Sequence, residues 1–313
     1  MKCPNKNCNA DNPQGSKFCN QCGTKLETSK KCPYPDCGTD NLPAMAKFCP
    51  DCGRPLEKKA PQKESVVEVK RKVSFKVPSD MIFVEGGTFK MGSETDHSDE
   101  KPVHYVTLSD FYIGKYAVSQ KLWMDVMYYK NPSHFRGNDL PVENVSWFDC
   151  IFFCNALSRR DGFEELYLIN GDLVTLLSRK RGYRLPTEAE WEFSARGGNK
   201  SKGFTYSGSN NMDQIGWYDN NSGGKTHLVG QKGANELGLF DLSGNVREWC
   251  WDCFSTYPSS SQTNPLGSAS GLNRVLRGGS WRNSVDSCRL SYRCYGNPSN
   301  SNDGLGFRLV FVS

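Results

Sequence analysis

The chain has 313 residues, 37% of them hydrophobic and 23% charged, which is enough apolar material for one sizeable globular domain beside smaller units. No apolar run is long enough to span a membrane as a helix, which excludes a helical membrane protein. The formal net charge of +5 is modest, and a good part of the excess falls in the N-terminal quarter.

That N-terminal part carries cysteines in a repeated pattern. Cys3, Cys8, Cys19 and Cys22 are spaced C-x4-C-x10-C-x2-C, and Cys32, Cys37, Cys49 and Cys52 repeat this as C-x4-C-x11-C-x2-C. Lys-Phe-Cys opens each second pair and Cys-Gly closes it. A unit this short cannot bury a core of its own, so metal or disulfides must hold it. Four thiolates in two knuckles satisfy tetrahedral zinc, so the spacing predicts two structural zinc ions, in a first ribbon over 1–27 and a second over 28–57. Disulfides would need an oxidising compartment. Lys2-Cys3 already opens the first knuckle, so no signal peptide is expected, and the expected location is cytoplasmic. Residues 58–79 read as a linker, charged and poor in large apolar side chains, with Lys58, Lys59, Lys63, Lys70, Arg71 and Lys72. Aromatic residues do not alternate with these charges as a base-stacking platform requires, so a solvated tether is expected rather than a nucleic-acid clamp.

Residues 80–313 read as an α+β domain. Met81 to Met91 alternates and breaks at Gly86-Gly87, predicting a strand with a tight bend. Val118 to Met127 has the helical spacing of Leu122, Val126 and Met127. Ser146 to Ser158 predicts a stronger helix, with Ser146 as cap and Asp149 three residues on. Thr187 and Glu190 stand in a capping-box arrangement before a helix that Gly197-Gly198 ends. Beyond this helix the chain reads as short strand and turn, dense in Gly, Asn and Ser.

Two bookends close the chain: Arg274-Val-Leu-Arg-Gly-Gly-Ser-Trp281 and Gly306-Phe-Arg-Leu-Val310. They are expected to form a rigid strand pair that presents the stretch between them. Residues 282–304 carry no helical or strand period and are rich in Asn, Ser, Tyr and Gly, the composition of adaptable binding surfaces. Chemistry-bearing signals elsewhere are weaker. His97, His104, His134 and His227 are scattered without ligand spacing and read as surface or packing residues. Cys250 and Cys253 have C-x-x-C spacing but no helix N-terminus, so one buried cysteine and one neighbour are expected. Cys150 and Cys154, one helical turn apart, read as small core hydrophobes.

The domain also contains, in order, Phe83-Val-Glu-Gly-Gly-Thr-Phe, Pro141-Val-Glu-Asn-Val-Ser-Trp, Tyr183-Arg-Leu-Pro-Thr-Glu-Ala-Glu-Trp-Glu-Phe, Asn235-Glu-Leu-Gly-Leu-Phe-Asp-Leu-Ser-Gly-Asn-Val-Arg-Glu-Trp249, Leu276-Arg-Gly-Gly-Ser-Trp and Gly306-Phe-Arg. Together these motifs resemble the formylglycine-generating enzyme, or sulfatase-modifying factor, family. The resemblance implies a variant of the C-type lectin fold and, for the enzymes, copper-dependent oxidation of a sulfatase cysteine to formylglycine. In those enzymes two cysteines after the Gly-Gly-Ser motif supply a soft dithiolate for Cu(I). The corresponding positions here are Asn283 and Cys288, so one thiolate is missing and copper is not expected. An oxidoreductase reading would rest on Cys288 alone. Arg247 also stands where an aromatic residue is usual in the family. The family's calcium loop implies ligands from the Asp241 and Glu248 side chains and the Gly244 and Val246 carbonyls, hard oxygens suited to that ion. The alternative for this turn is hydrogen bonding alone.

A second resemblance concerns the C-terminal stretch. Variable proteins of diversity-generating retroelements also place a diversified segment between Arg-Gly-Gly-Ser-Trp and Gly-Phe-Arg on a lectin-type scaffold. Adenine-directed mutagenesis of Asn codons cannot produce Met, Trp, Lys, Gln or Glu, and residues 282–304 contain none of these. The resemblance makes Arg282, Asn283, Ser284, Asp286, Cys294, Tyr295, Gly296, Ser301, Asp303 and Gly304 the candidate ligand contacts, with Arg277, Trp281, Arg289 and Arg308 as scaffold and Trp281 expected in the core beneath the stretch. An ordinary Asn- and Ser-rich loop is the alternative. The expected protein is thus a double zinc ribbon tethered to a catalytically silent C-type lectin-like domain that binds a ligand, a protein, through 282–304. The competing classes are an oxidoreductase using Cys288 and an adaptor whose ribbons meet nucleic acid or protein.

Overall fold

The computed structural model describes residues 79–312 except 129 and 178–180, together with Cys8, Ala10, Asp11, Cys19, Gln21 and Cys22. The chain divides into two compact units, Met1–Ser74 and Phe75–Ser313. The predicted second ribbon and residues 58–78 of the linker lie outside the described residues.

In the larger unit the elements run β1 (Met81–Val84), β2 (Gly87–Met91), β3 (His104–Leu108), β4 (Phe111–Gly114), α1 (Gln120–Val126), α2 (Trp147–Arg160), β5 (Tyr167–Asn170), β6 (Leu173–Leu176), β7 (Gly182–Arg184), α3 (Glu188–Ala195), α4 (Met212–Ile215), β8 (Arg247–Cys253), β9 (Gln262–Thr263), β10 (Arg274–Arg277), β11 (Arg293–Gly296), β12 (Leu305–Gly306) and β13 (Val310–Val312). One sheet has the order β1-β4-β13-β7, a second β11-β10-β8-β12, a third β2-β3-β9, and β5 pairs with β6 as a hairpin.

Local chemistry explains the helices. Ser146 and Asp149 form a complete capping box at α2, and Thr187 and Glu190 form another at α3. Helix α3 ends at Gly197 and Gly198, whose φ of 91° and 56° are left-handed values that favour glycine. Helix α1 is capped by Ser119, whose hydroxyl accepts from the Leu122 amide, and it buries Gln120, Trp123 and Val126. Leu122 and Met127, expected on its core face, are only partly buried.

Four expectations need correction. Met81 to Met91 is not one bent strand: β1 pairs with β4 and β2 with β3, in different sheets. The switch is made at Gly86, where a Cβ would lie 2.3 Å from the Leu108 carbonyl oxygen. Secondly, the bookends do not pair with each other. Strand β8 lies between β10 and β12, and β13 belongs to another sheet. Thirdly, the stretch between them is partly regular, with a 3-10 turn over Val285–Cys288 and β11 at its centre. Cys250 and Cys253 are both buried on β8, rather than one of them, because that strand is covered on both faces.

The core has two main parts. Around α2, Trp123 stacks on Phe153 at 5.2 Å and Phe307 meets Phe153 edge-on at 5.2 Å. The other part packs α3 against β2, β3 and β4 through Trp191, Phe193, Val106 and Ile113. Every residue of α3 is buried, including Glu188, Glu190 and Glu192. Burying a carboxylate is tolerated only when it is paired and hydrogen-bonded. Each has a guanidinium partner: Arg184 meets Glu190 at 2.6 Å, while Arg277 bridges Glu188 and Glu192 at 2.6 Å each. The Glu188 carboxyl is held below the usual range: burial pushes it up, but Arg293 and Arg277 together outweigh that. Changing Arg277 to Ala leaves two buried carboxylates short of charge and should lower unfolding free energy by about 3 to 5 kcal/mol, measured by urea denaturation. A loss below about 1 kcal/mol would mean these acids are neutral in the native protein.

Candidate ligand-binding surface

Residues 281–304 leave β10 at the Gly278-Gly279 turn and return to β12. Two arginines nail the middle of this stretch to the body. Arg289 forks onto Glu100 at 3.0 and 2.9 Å and meets Asp96 at 3.0 Å. Arg293 places Nε and a terminal nitrogen on the two oxygens of Glu188, both at 2.7 Å. Ser287, Cys288, Leu290 and Ser291 are buried with them. The stretch is therefore divided into two exposed lobes flanking a buried centre.

In the first lobe Arg282, Ser284, Val285 and Asp286 are exposed. Arg282 pairs with Asp303 and with the Asn302 side chain, both at 2.6 Å, which ties this lobe to the second. Asn283 is half-buried, its side-chain oxygen accepting from Ser280 at 2.6 Å and its carbonyl accepting from the Asp219 amide at 3.1 Å. Asp286 accepts from Arg289 and His97; these bonds hold its carboxyl below the usual range and raise the imidazole. In the second lobe Tyr295 is 53% exposed and leans on Phe254 at 4.7 Å, and Ser301 is exposed. Cys294 is half-buried, with an Arg247 nitrogen 3.6 Å from its sulfur. Asp303 is half-buried. Gly296 and Gly304 offer only backbone: a Cβ at Gly296 would lie 2.8 Å from Trp249, and Gly304 is buried with its carbonyl accepting from the Arg247 amide.

Trp281 is only partly buried, not part of the core beneath the stretch. Its indole N–H donates to the Asp303 carbonyl at 2.9 Å and its ring meets Phe135 edge-on at 5.4 Å. Cys288 is buried, and burial pushes its thiol up to about 12. A thiol held neutral is a poor nucleophile and a poor soft ligand.

Around the proposed calcium turn, Asp241 has a φ of 57° and is 4% exposed. Its Oδ2 accepts from the Gly230 amide at 2.7 Å, its Oδ1 is buried without a partner, and burial pushes the carboxyl to about 6. An orphaned buried oxygen of this kind fits a hard cation. Glu248 is differently placed: Arg308 holds both of its oxygens at 2.6 and 2.7 Å and the Trp191 indole adds 2.7 Å, so an ion would have to share them. In the smaller unit Cys8, Cys19 and Cys22 bring their sulfurs within 4.8 Å of one another. The Cys8 and Cys19 sulfurs are 3.8 Å apart. That is far beyond a disulfide bond and matches the separation of about 3.8 Å between two thiolates about 2.3 Å from one tetrahedral zinc ion. Cys3, Cys32, Cys37, Cys49 and Cys52 lie outside the described residues.

The family model for the sulfatase-modifying factor enzyme 1-like domain matches residues 67–312, and the double zinc ribbon model matches 3–53. The chain belongs to the sulfatase-modifying factor enzyme 1-like family. It is 44% identical over 248 residues to the chaperone protein LppX of Paenibacillus barcinonensis, covering 69% of this chain and 83% of that one. It is 28% identical over 277 residues to the formylglycine-generating enzyme of Mus musculus, covering 73% of this chain and 74% of that one. Among solved structures, Treponema denticola variable protein 1 superposes with a TM-score of 0.69 at 38% identity, covering 74% of this chain and 94% of that one. The fold is accordingly the α+β, C-type lectin-like arrangement of the formylglycine-generating enzyme type. No helix among the described residues is long and apolar enough to cross a membrane.

Sequence reasoning missed Arg293, whose partner Glu188 is 105 residues away and leaves no local signal. It also missed Glu143, which supports the second lobe. The Asn144 amide next to it donates to the Asn302 carbonyl at 2.9 Å. Glu143 is fully buried, its Oε1 accepts from the Phe135 amide at 2.8 Å, and its Oε2 has no partner. Burial, reinforced by Asp303, pushes it to about 7. A carboxyl raised in the folded state keeps its contribution below the unfolded value of about 4.3 and loses it as pH rises through the folded value. Glu143→Gln keeps the acceptor and removes the charge, so it should raise the melting temperature by ~2–4 °C at pH 8 and leave it unchanged at pH 4 in thermal scans. An equal effect at both pH values would contradict the assignment.

Proposed function

We propose that the larger unit is a non-catalytic binding domain that engages a protein ligand through the two exposed lobes of 282–304. The observation that carries this reading is the division of labour within the stretch. Exposed Arg282, Ser284, Asp286, Tyr295 and Ser301 hold ligand-facing side chains, while buried Arg289 and Arg293 hold the backbone. Asn283, Cys294 and Asp303 stand at the rim, and Gly296 and Gly304 shape the chain beneath them. Similarity to a variable protein in fold and sequence supports the further reading that these exposed positions are diversified.

The oxidase alternative is disfavoured by chemistry. Asn283 spends its side-chain oxygen on Ser280, and the Cys288 thiol is buried and neutral, so no pair of thiolates faces solvent here. Calcium would be held by Asp241 and the Gly244 and Val246 carbonyls, with Glu248 shared between the ion and Arg308. It would supply the positive charge that the orphaned Asp241 oxygen lacks. The sulfur cluster of Cys8, Cys19 and Cys22 supports zinc in the first ribbon, and the repeated spacing extends this to the second.

Sequencing this 3′ region from many cells of the source population tests the reading. Substitutions should concentrate at codons 282, 284, 286, 295 and 301 and spare 289 and 293. An invariant stretch, or variation spread equally over the buried centre, would contradict diversification of a binding surface.

A further inference from the structure

The 252–268 segment folds over a cavity of about 290 Å³ remote in role from the exposed lobes. His104, Glu188, Asp252, Tyr257, Gln262 and Arg293 contribute to its wall. Leu266 and Gly267, which are exposed, also line it and give a small molecule a way in. Its size is at the lower end of ligand pockets, which run from about 300 to 1,000 Å³.

The acids around α3 are not equally satisfied. Glu188, Glu190, Glu192 and Glu248 each pair with an arginine. Asp252, 4% exposed, makes no ion pair among the described residues. Its Oδ2 accepts from the Glu188 amide at 2.8 Å, and no side chain among the described residues donates to the carboxyl. Burial, with Glu188 second, pushes the carboxyl to about 7; Arg184 and Arg274 act on it only from beyond ion-pair distance. His104 is similar: it is 5% exposed, its Nδ1 meets the Pro102 carbonyl at 3.1 Å, and no described partner reaches Nε2. Its ring packs on Tyr257 at 4.8 Å.

We propose that this cavity binds a small molecule carrying a primary ammonium group, with Asp252 as its counter-ion. An ammonium offers three donors and no acceptor, which suits a free carboxylate oxygen and an unprotonated imidazole nitrogen against aromatic walls. A divalent metal suits the cavity less well, because no three ligating groups converge here among the described residues. Burying an unpaired carboxylate is costly, and a cationic ligand removes that cost on binding. Arg293 is already committed to Glu188 and to the Asp99 and Ser255 carbonyls, so it anchors the wall and leaves Asp252 to the ligand.

The test uses the full chain at pH 8, titrated with ethanolamine and with ethylene glycol, which has the same shape without the charge, and followed by amide chemical shifts. Ethanolamine should produce saturable shifts at 252–268, with ethylene glycol at least tenfold weaker. Asp252→Asn keeps an acceptor for the Glu188 amide and should abolish that preference. Gln262→Phe, which fills the cavity and leaves the buried acids themselves in place, should abolish the shifts even if the first variant folds poorly. Equal response to both probes, absence of saturable ethanolamine shifts, or an unaltered preference in the folded variants would overturn the proposal. None of these outcomes bears on the exposed lobes, so the two readings fail separately.

Discussion

The buried pairing of arginines from the C-terminal forty residues with carboxylates held by α3 and β8 is the constraint on which this domain depends. Arg277, Arg293 and Arg308 reach Glu188, Glu192 and Glu248 at 2.6 or 2.7 Å, and all six side chains are essentially removed from water. Such pairs contribute little net stability over well-packed apolar residues, because desolvation offsets attraction. Their effect is on register. A guanidinium forked onto a carboxylate has one satisfactory geometry, and a slip by one residue would leave both charges buried and unpaired.

That register explains how an irregular stretch can end in a fixed place. Between β10 and β12 the chain spends its buried positions on Arg289, Leu290 and Arg293 and leaves the flanking lobes to solvent. Side chains in those lobes make contacts such as Arg282 with Asp303 that are exposed and therefore weak. The same Arg293 also forms part of the wall of the Asp252 cavity. One fork thus links the stretch to a second concave surface without either contributing residues to the other's exposed face.

Much of this is legible in the sequence where the signal is local. Ser146 with Asp149 and Thr187 with Glu190 announce two helix starts because capping acts over three residues. Motif order is sufficient for the family and the fold. Strand pairing is not legible: the bookends look like partners, yet β8 separates them, since short strands carry no information about which neighbour they take. The exposed character of Arg282, Ser284, Asp286, Tyr295 and Ser301 follows from composition. The burial of Arg289 and Arg293 is not equally visible, although the resemblance to variable proteins places Arg289 in the scaffold. Arginine is ordinarily a surface residue, and only a distant carboxylate such as Glu188 reveals otherwise. Trp281 reads as a buried residue because it is large and apolar, but its indole N–H needs the Asp303 carbonyl, which lies at the rim.

If the buried arginines hold the backbone, the binding lobes are separable from the fold that carries them. Saturation mutagenesis of 281–304, with protease resistance of the displayed domain as the readout, tests this most directly. Broad tolerance is expected at Arg282, Ser284, Asp286, Tyr295 and Ser301, and narrow tolerance at Ser287, Leu290 and Arg293. Equal intolerance across the lobes and the buried centre would show instead that the whole stretch is structural.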